Sequence, residues 1–181
     1  SYEIEKLLSF SKGRTFVLFT SHKDMQYFYD TIDTPYPKMI QSKGVSRVKL
    51  LEDFKNTPNA VLFATKSFWE GVDVRGDQLL SVIIHKLPFE TPNDLVYASK
   101  IEKIDKEFGV GKHWGKFTIP DMCLKLKQGI GRLIRSNTDV GVIAILDPRI
   151  NFRNYGKTVL NTLPDAYRTQ KLEKVQKFYE R

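Results

Sequence analysis

Thr15-Phe-Val-Leu-Phe19, followed at once by Thr20-Ser21, decides the fold class of this chain. The run from Thr15 to Phe19 is short, apolar and rich in residues that favour β structure, and it predicts a buried strand. Asp24 stands three residues after Ser21, a spacing that predicts a helix capped by Ser21 and continuing through Tyr29. A buried strand that leads directly into a helix is the unit from which α/β proteins are built.

The rest of the chain repeats this alternation of strand and helix. Further short strands are predicted at 39–40, 60–64, 81–85 and 140–146, and helices at 45–54, 94–108, 120–134, 155–160 and 164–179. In the helix at 45–54, we expect Val48, Leu51 and Phe54 to face inward. Continuous apolar strands separated by helices indicate an α/β fold, in which a mostly parallel sheet carries helices on both faces.

The expected position of function follows from this fold class. Open α/β sheets bind ligands in the crevice beyond the carboxyl ends of their strands. We therefore expect function in the loops that follow Phe19 and Ala64 and in the segment that precedes Val140.

The length, net charge and cysteine content of the chain indicate which kinds of partner and site it can have. The 181 residues suit one domain covering 1–181, and the absence of a starting methionine predicts a piece of a longer protein. A formal net charge of +8 favours a polyanionic partner, with nucleic acid first and nucleotide second. The lone Cys123 excludes a disulfide framework or a zinc or iron–sulfur cluster built within this chain. No apolar run reaches the roughly 20 residues of a membrane span, so we expect a cytoplasmic protein without a membrane partner.

Gln128-Gly-Ile-Gly-Arg132-Leu-Ile-Arg135 is the motif with the clearest chemical meaning. If the predicted helix runs through it, Gln128, Arg132 and Arg135 follow an i, i+4, i+7 pattern and share one face. Glycine costs about 1 kcal/mol inside a helix, so the two glycines are expected where a ligand or another backbone comes close. Two guanidinium groups beside bare backbone suit a polyphosphate. The alternative is a surface helix with scattered basic residues.

The loop after the strand at 60–64 is polar and suits a phosphate or a sugar. It runs from 65 to 73 and has the sequence TKSFWEGVD. Its donors to phosphate oxygens are Thr65, Ser67 and the backbone near Gly71. Its acceptors are Glu70 and Asp73, which suit a ribose hydroxyl, a water or an arginine of another domain.

Three of these motifs occur in the order of helicase motifs IV, V and VI, namely Thr20-Ser21, Ser67–Asp73 and Gln128–Arg135. The combination resembles the C-terminal motor domain of superfamily 2 helicases of the XPD/DinG group, over almost the whole chain. Segments that strengthen this resemblance are Lys86-Leu-Pro-Phe89, Ile119-Pro120, Asp147-Pro-Arg149 and Tyr155-Gly-Lys157. Leu95 departs from the pattern, since a second proline often follows Asp94 there, and the departure affects a turn rather than chemistry. The lysine-rich and aromatic-rich character also resembles DinG proteins of Firmicutes.

The resemblance implies a RecA-like fold that pairs with an N-terminal RecA-like motor domain. ATP would lie in the cleft between the two domains, with Mg²⁺ held by the first of them. Arg132 and Arg135 would act as arginine fingers that stabilise charge developing on the γ-phosphate. Gln128 would orient the attacking water or contact the γ-phosphate.

The resemblance also divides the remaining motif residues between nucleotide and DNA. Those expected to line or couple to the nucleotide cleft are Glu70, Gly71, Asp73 and Gly131. Those expected to contact the backbone of single-stranded DNA are Ser21, Thr65 and Ser67.

Two patterns imitate other sites. Gly156-Lys-Thr158 lacks the upstream glycine and the strand context of a P-loop. Asp105 and Glu107 would diverge by about 200° on a helix and could not share a metal ion. Because the chain has no Walker A lysine, no Mg²⁺-binding acidic box and no nuclease metal site, it is expected neither to hydrolyse ATP nor to cut DNA alone.

The leading interpretation is therefore half of an ATP-driven single-stranded DNA helicase or translocase. The first alternative is a DNA-binding and regulatory module of a DinG-type protein that also carries an N-terminal 3′–5′ exonuclease domain. A metal-binding acidic set before residue 1 would favour that alternative. The second is a stand-alone basic nucleic-acid-binding domain, which would leave the glycines at 129 and 131 unexplained.

Overall fold

A computed structural model describes residues 1–65, 68, 74, 78–91, 93–131, 133 and 140–180. Within these residues the strands form a five-stranded sheet in the order β2-β3-β1-β4-β5. The strands are β1 (Thr15–Phe19), β2 (Lys38–Ile40), β3 (Val61–Thr65), β4 (Ser81–Ile84) and β5 (Val142–Ile145). Every adjacent pair is parallel. All the carboxyl ends therefore lie at one edge of the sheet, which is called the carboxyl edge below.

Helices precede, connect and follow the strands. In the described ranges they are α1 (Tyr2–Ser11), α2 (His22–Thr31), α3 (Arg47–Asn56), α4 (Leu95–Phe108), α5 (Ile119–Ile130), α6 (Arg149–Phe152), α7 (Gly156–Thr162) and α8 (Leu172–Tyr179). A π-helix, Trp114–Thr118, leads directly into α5.

The helices bury both faces of the sheet. Side chains of α1, α2 and α8 pack on one face, against Phe19 and Phe63. Side chains of α3, α5 and α7 pack on the other, against Phe16 and Leu62. Every residue of β1, β3 and β4 is buried, as continuous apolar runs predict. This three-layer arrangement confirms the predicted α/β fold with helices on both faces of a parallel sheet.

The predicted start of α2 is also confirmed. The Ser21 hydroxyl oxygen accepts a hydrogen bond from the backbone N–H of Asp24 at 3.1 Å. This bond satisfies one of the N–H groups that the first turn of a helix leaves without an intrahelical partner. It fixes Ser21 at the carboxyl edge, directly after β1.

The inward face of α3 differs from the prediction. Leu50, Leu51 and Phe54 are buried, whereas Val48 is 65% exposed. At about 100° per residue, Val48 lies roughly 110° around the helix from the middle of the buried face. The placement of Val48 in the core was therefore wrong, although Leu51 and Phe54 were placed correctly.

Two predicted helices are shorter than expected, and three helical elements were not predicted: α1, α6 and the π-helix. The helix expected at 120–134 ends at Ile130, with Gly131 as its C-cap. The helix expected from 164 begins only at Leu172, and just before it the N–H of Lys171 donates to the Thr169 hydroxyl at 3.1 Å. In α1, Ile4, Leu7 and Leu8 are buried at the i, i+3, i+4 spacing of an amphipathic helix, so its signal was present in the sequence.

Tyr179 attaches the last helix to the sheet, and this contact yields a stability prediction. Its hydroxyl donates to the carbonyl of Leu80 at 2.9 Å, at the amino end of β4. Tyr179→Phe should lower the free energy of unfolding by about 1 kcal/mol, measured by denaturant titration at neutral pH. The cost stays modest because the Leu80 carbonyl also accepts from the Val142 N–H.

The same tyrosine predicts a response to alkali. Burial raises the pKa of Tyr179 from 10.0 to about 12. The folded state therefore holds this proton more tightly than the unfolded chain, and the stability it confers is full below pH 10 and is lost as the pH approaches 12. Tyr179→Phe should flatten this decline relative to the wild type. Identical alkaline profiles of the two proteins would contradict the assignment.

Candidate nucleic-acid interface

Two of the predicted DNA-contacting residues lie at the carboxyl edge, on neighbouring strands. Thr65 ends β3, and its register partner on β1 is Phe19, two residues before Ser21. The Ser21 hydroxyl accepts from Asp24 and keeps its own hydrogen for donation to another group. Thr65 is only 5% exposed, and its N–H and hydroxyl both donate to the Gln41 side chain, at 2.9 and 3.0 Å. A contact between Thr65 and DNA stays a prediction, and it would require the hydroxyl to exchange this bond.

An ion pair braces the same edge beside Ser21. The Lys86 ammonium lies 2.8 Å from the Asp24 carboxylate and joins the exit of β4 to the first turn of α2. The hydrogen bond from Lys86 lowers the pKa of Asp24. His85 packs against the rings of Phe19 and Phe28, with centroids 5.2 and 4.6 Å away, and burial lowers its pKa. A neutral imidazole in this position serves packing.

The predicted nucleotide contacts Gln128 and Gly131 lie away from that edge, because α5 runs opposite to the strands. In the middle of this helix, Lys125 pairs with Glu90, which follows β4, at 2.7 Å. Beyond its end, the Leu133 side chain fills the space beside Gly141, which directly precedes β5. Gly141 thus lies at the amino end of β5 rather than at the carboxyl edge, and a function in the segment before Val140 stays a prediction, because residues 134–139 lie outside the described residues. The side chain of Gln128 is exposed.

Several predicted site residues lie outside the described residues. They are Ser67, Glu70, Gly71, Asp73, Arg132 and Arg135. Their roles stay predictions. The argument that Gln128, Arg132 and Arg135 share one helical face loses its basis, because α5 ends at Ile130.

An open groove of about 1150 Å³ lies between α5, the π-helix and the α6–α7 segment. Its walls include Trp114, Leu124, Lys127, Arg153 and Tyr155. Trp114 is 47% exposed and Leu124 58%. Among the described residues, the lining side chains include three cations and no carboxylate. This combination of aromatic surface and positive charge was not predicted from the sequence.

Arg149, the third cation of the groove, is held in place by Asp147. The guanidinium donates to both oxygens of the buried Asp147 carboxylate, with Nη2 at 2.6 Å and Nε at 3.0 Å. The Leu87 N–H donates to the same carboxylate at 2.9 Å. Burial alone would raise the pKa of Asp147, but the hydrogen bonds from Arg149 and Leu87 outweigh it and the pKa is lowered. The pair therefore stays ionised and ties β5 to the exit of β4.

Phe89 forms the aromatic floor on which these groups rest. The Arg149 guanidinium lies 5.2 Å from its ring centre, a cation–π distance. Trp114 and Tyr155 approach the same ring edge-on, at 6.0 and 5.5 Å. Segments far apart in sequence thus converge on one aromatic, basic wall that begins at the carboxyl edge.

Gly156 has a packing role at the start of α7. A Cβ atom there would lie 1.9 Å from the Ile150 carbonyl oxygen, so only glycine permits this close approach. The glycine of the P-loop-like run Gly156-Lys-Thr158 is thus explained by packing between α6 and α7, which supports the sequence argument against a P-loop.

Known proteins provide an independent comparison. The helicase C-terminal domain family matches residues 4–166. The ATP-dependent DNA helicase YoaA of Haemophilus influenzae is 45% identical over 171 residues, which cover 94% of this chain and 26% of the relative. The 3′-5′ exonuclease DinG of Bacillus subtilis is 36% identical over 168 residues, which cover 89% of this chain and 18% of the relative.

A solved structure titled XPD helicase matches with a TM-score of 0.66 and 21% identity, over 86% of this chain and 29% of that one. This likeness confirms the predicted RecA-like fold. The chain spans only about a quarter of the length of YoaA.

The described residues contain neither a membrane-spanning helix nor a cluster of metal-ligating side chains. None of the helices there is long and apolar enough to cross a bilayer. The same residues contain no group of three or more His, Cys, Asp or Glu side chains placed to hold a metal ion.

Proposed function

This chain belongs to the helicase C-terminal domain family, in the group that includes YoaA, DinG and XPD, and we propose on that premise that it is the second motor domain of an ATP-dependent DNA helicase or translocase. Residues 1–181 act as one domain that completes an active site held mainly by an N-terminal RecA-like domain. ATP and Mg²⁺ are bound chiefly by that first domain. The partner on the other surface is single-stranded DNA.

The observation that carries the DNA part of this proposal is the groove beside α5. Single-stranded DNA is bound without sequence preference by aromatic rings that stack on bases and by cations that follow the phosphates. Trp114 and Tyr155 supply the rings, and Lys127 and Arg153 are exposed cations on the same walls. No described lining side chain is a carboxylate that would pair with Lys127 or Arg153 within the groove.

The carboxyl edge extends this surface. Ser21 offers a hydroxyl donor, and Thr65 and Ser67 are proposed to add contacts to the sugar–phosphate backbone. Arg149 begins the groove at that same edge, directly after β5. A DNA strand that passes Ser21 would therefore cross the carboxyl edge from the side of the sheet that carries α2 to the side that carries α5 and α7, where the groove lies.

The proposed contacts with ATP come from residues in and after the C-terminal end of α5, away from the carboxyl edge. Gln128, Arg132 and Arg135 are proposed to reach ATP bound to the first motor domain, with Arg132 and Arg135 as arginine fingers. Glu70, Gly71, Asp73 and Gly131 are proposed to line or couple to the cleft. The exposed position of Gln128 on α5 supports a contact with another domain.

A second candidate function, regulation of a nuclease, is favoured by one of the relatives. The Bacillus subtilis relative is named as a 3′-5′ exonuclease. If the intact protein is of that type, this domain would bind DNA and regulate a nuclease domain. This alternative would be favoured if the intact protein has a metal-dependent 3′–5′ nuclease activity that does not depend on ATP hydrolysis.

The salt dependence of DNA binding tests the groove. Each phosphate neutralised in single-stranded DNA contributes about −0.7 to the slope of log affinity against log salt. Lys127→Ala or Arg153→Ala in the intact protein should therefore make that slope shallower by about 0.7, with oligothymidylate as the probe. The matched control is Lys177→Ala, which removes an exposed cation from α8 on the opposite face of the sheet. Equal slopes for the wild type and both groove variants would contradict a phosphate contact in the groove.

A further inference from the structure

The loop between α4 and the π-helix is closed by one carboxylate. Asp105, in the last turn of α4, accepts hydrogen bonds from the N–H groups of Gly111 and His113, both at 3.0 Å. It also contacts the Nδ1 atom of His113 at 2.9 Å. The Asp105 and His113 side chains are 19% and 16% exposed, so the contact is partly shielded from water.

These bonds hold a segment that contains two glycines with positive φ. Gly109 and Gly111 have φ values of +107° and +81°, which residues with a side chain rarely adopt. Glycines of this kind add conformational freedom to a loop, and fixing them is costly in entropy. The Asp105 contacts supply interactions that offset this cost.

The end of the loop is the start of one wall of the groove. His113 directly precedes the π-helix, and its ring lies 5.5 Å from that of Trp114, with 34° between the planes. A second anchor follows one turn later, where Phe117 packs on Tyr97 of α4 at 4.9 Å. The position of Trp114 therefore depends on how the π-helix is fastened to α4.

We propose that Asp105 and His113 are positioning residues for single-stranded DNA: through the loop they hold the Trp114 ring at the angle at which a base can stack on it. This inference rests on the proposed function of the groove. Neither residue needs to contact DNA, because each acts through Trp114. Loss of either side chain leaves the indole present but less ordered, and part of the stacking energy is then spent on ordering it.

The test is a double-mutant cycle in the intact protein, with oligothymidylate affinity as the measurement. Trp114→Ala removes the stacking platform and should weaken binding by roughly five- to hundredfold. Asp105→Ala should weaken it by about fivefold, which is part of the stacking contribution. In the Trp114→Ala background, Asp105→Ala should have no further effect, since its action runs through the missing ring.

Two comparisons separate positioning from a general loss of structure. Glu107→Ala removes an exposed carboxylate two residues away on the same helix and should leave affinity unchanged. His113→Asn keeps a donor close to the position of Nδ1 and should retain most of the affinity, whereas His113→Ala should behave like Asp105→Ala. The histidine pair keeps the test decisive if Asp105→Ala does not fold.

The possible results distinguish the positioning role of Asp105 and His113 from the DNA-binding role of the groove. Non-additive losses for Asp105→Ala and Trp114→Ala support the positioning role. Equal effects of Asp105→Ala with and without Trp114 overturn it, as does normal affinity of Asp105→Ala or His113→Ala when Trp114→Ala is impaired. Normal affinity of Trp114→Ala itself would instead refute the groove, and the inference with it.

Discussion

Replacing Arg132 or Arg135 by alanine in the intact protein is expected to lower ATP turnover by about a thousandfold or more, the contribution typical of an arginine finger. The physical reason is that charge builds up on the γ-phosphate oxygens in the transition state, where a guanidinium placed in advance stabilises it. The measurement is steady-state phosphate release at saturating ATP and saturating oligothymidylate. Nucleotide affinity in the ground state should change much less.

Matched variants make this result specific. Arg132→Lys keeps the positive charge but loses the planar fork that binds two oxygens at once, so it should recover little turnover. Arg153→Ala removes an exposed arginine of the groove and should leave maximal turnover close to normal. Near-normal turnover in both Arg132→Ala and Arg135→Ala would refute the finger assignment.

Trp114→Ala is the change with the largest expected effect on DNA. Stacking of one base on an aromatic ring contributes about 1–3 kcal/mol, so affinity for single-stranded DNA should fall roughly five- to hundredfold. Trp114→Phe keeps a ring and should lose much less. Fluorescence anisotropy of labelled oligothymidylate on the intact protein measures both.

Tyr167 provides the control for loss of an exposed aromatic ring. It is 74% exposed and lies in the segment between α7 and α8, away from the residues that line the groove. Tyr167→Ala should leave DNA affinity unchanged. If Tyr167→Ala and Trp114→Ala weaken binding equally, the groove has no special role.

Much of the fold was predictable because buried strands have a simple sequence pattern. The strands β1, β3 and β4 are buried on both faces, and such strands appear as unbroken apolar runs between polar segments. The Ser21 cap was predictable for a similar reason, since a single local hydrogen bond determines it. Local interactions of this kind can be inferred without knowing the rest of the molecule.

The end of α5 was missed because helical periodicity continues past the point where the helix stops. Gln128, Arg132 and Arg135 have the right spacing for one face, yet Gly131 is already the C-cap. The spacing of apolar and polar residues indicates which face a helix would bury, whereas a glycine indicates where the helix can end. The two signals conflicted here, and α5 ends where the glycine stands.

The groove could not have been predicted from spacing. Trp114, Lys127 and Arg153 belong to the π-helix, to α5 and to the residue after α6, and only tertiary packing brings them together. In a sequence, an aromatic residue that lines a groove looks the same as one in the core. The segments Lys86–Phe89, Asp147–Arg149 and Tyr155–Lys157 carried the family resemblance, and the structure gives them a shared place around Phe89.

The central claim is that DNA and ATP are served by separate surfaces of one domain, the groove and carboxyl edge for DNA and the residues beyond Gln128 for ATP. Titration of ATP hydrolysis with oligothymidylate tests it most directly, in the wild type, Arg132→Ala and Trp114→Ala. We predict that Trp114→Ala raises the half-saturating DNA concentration and reaches normal maximal turnover. Arg132→Ala should bind DNA normally and remain almost inactive at every concentration. If maximal turnover and DNA affinity fall together in both variants, the two surfaces are not separate and the account is wrong.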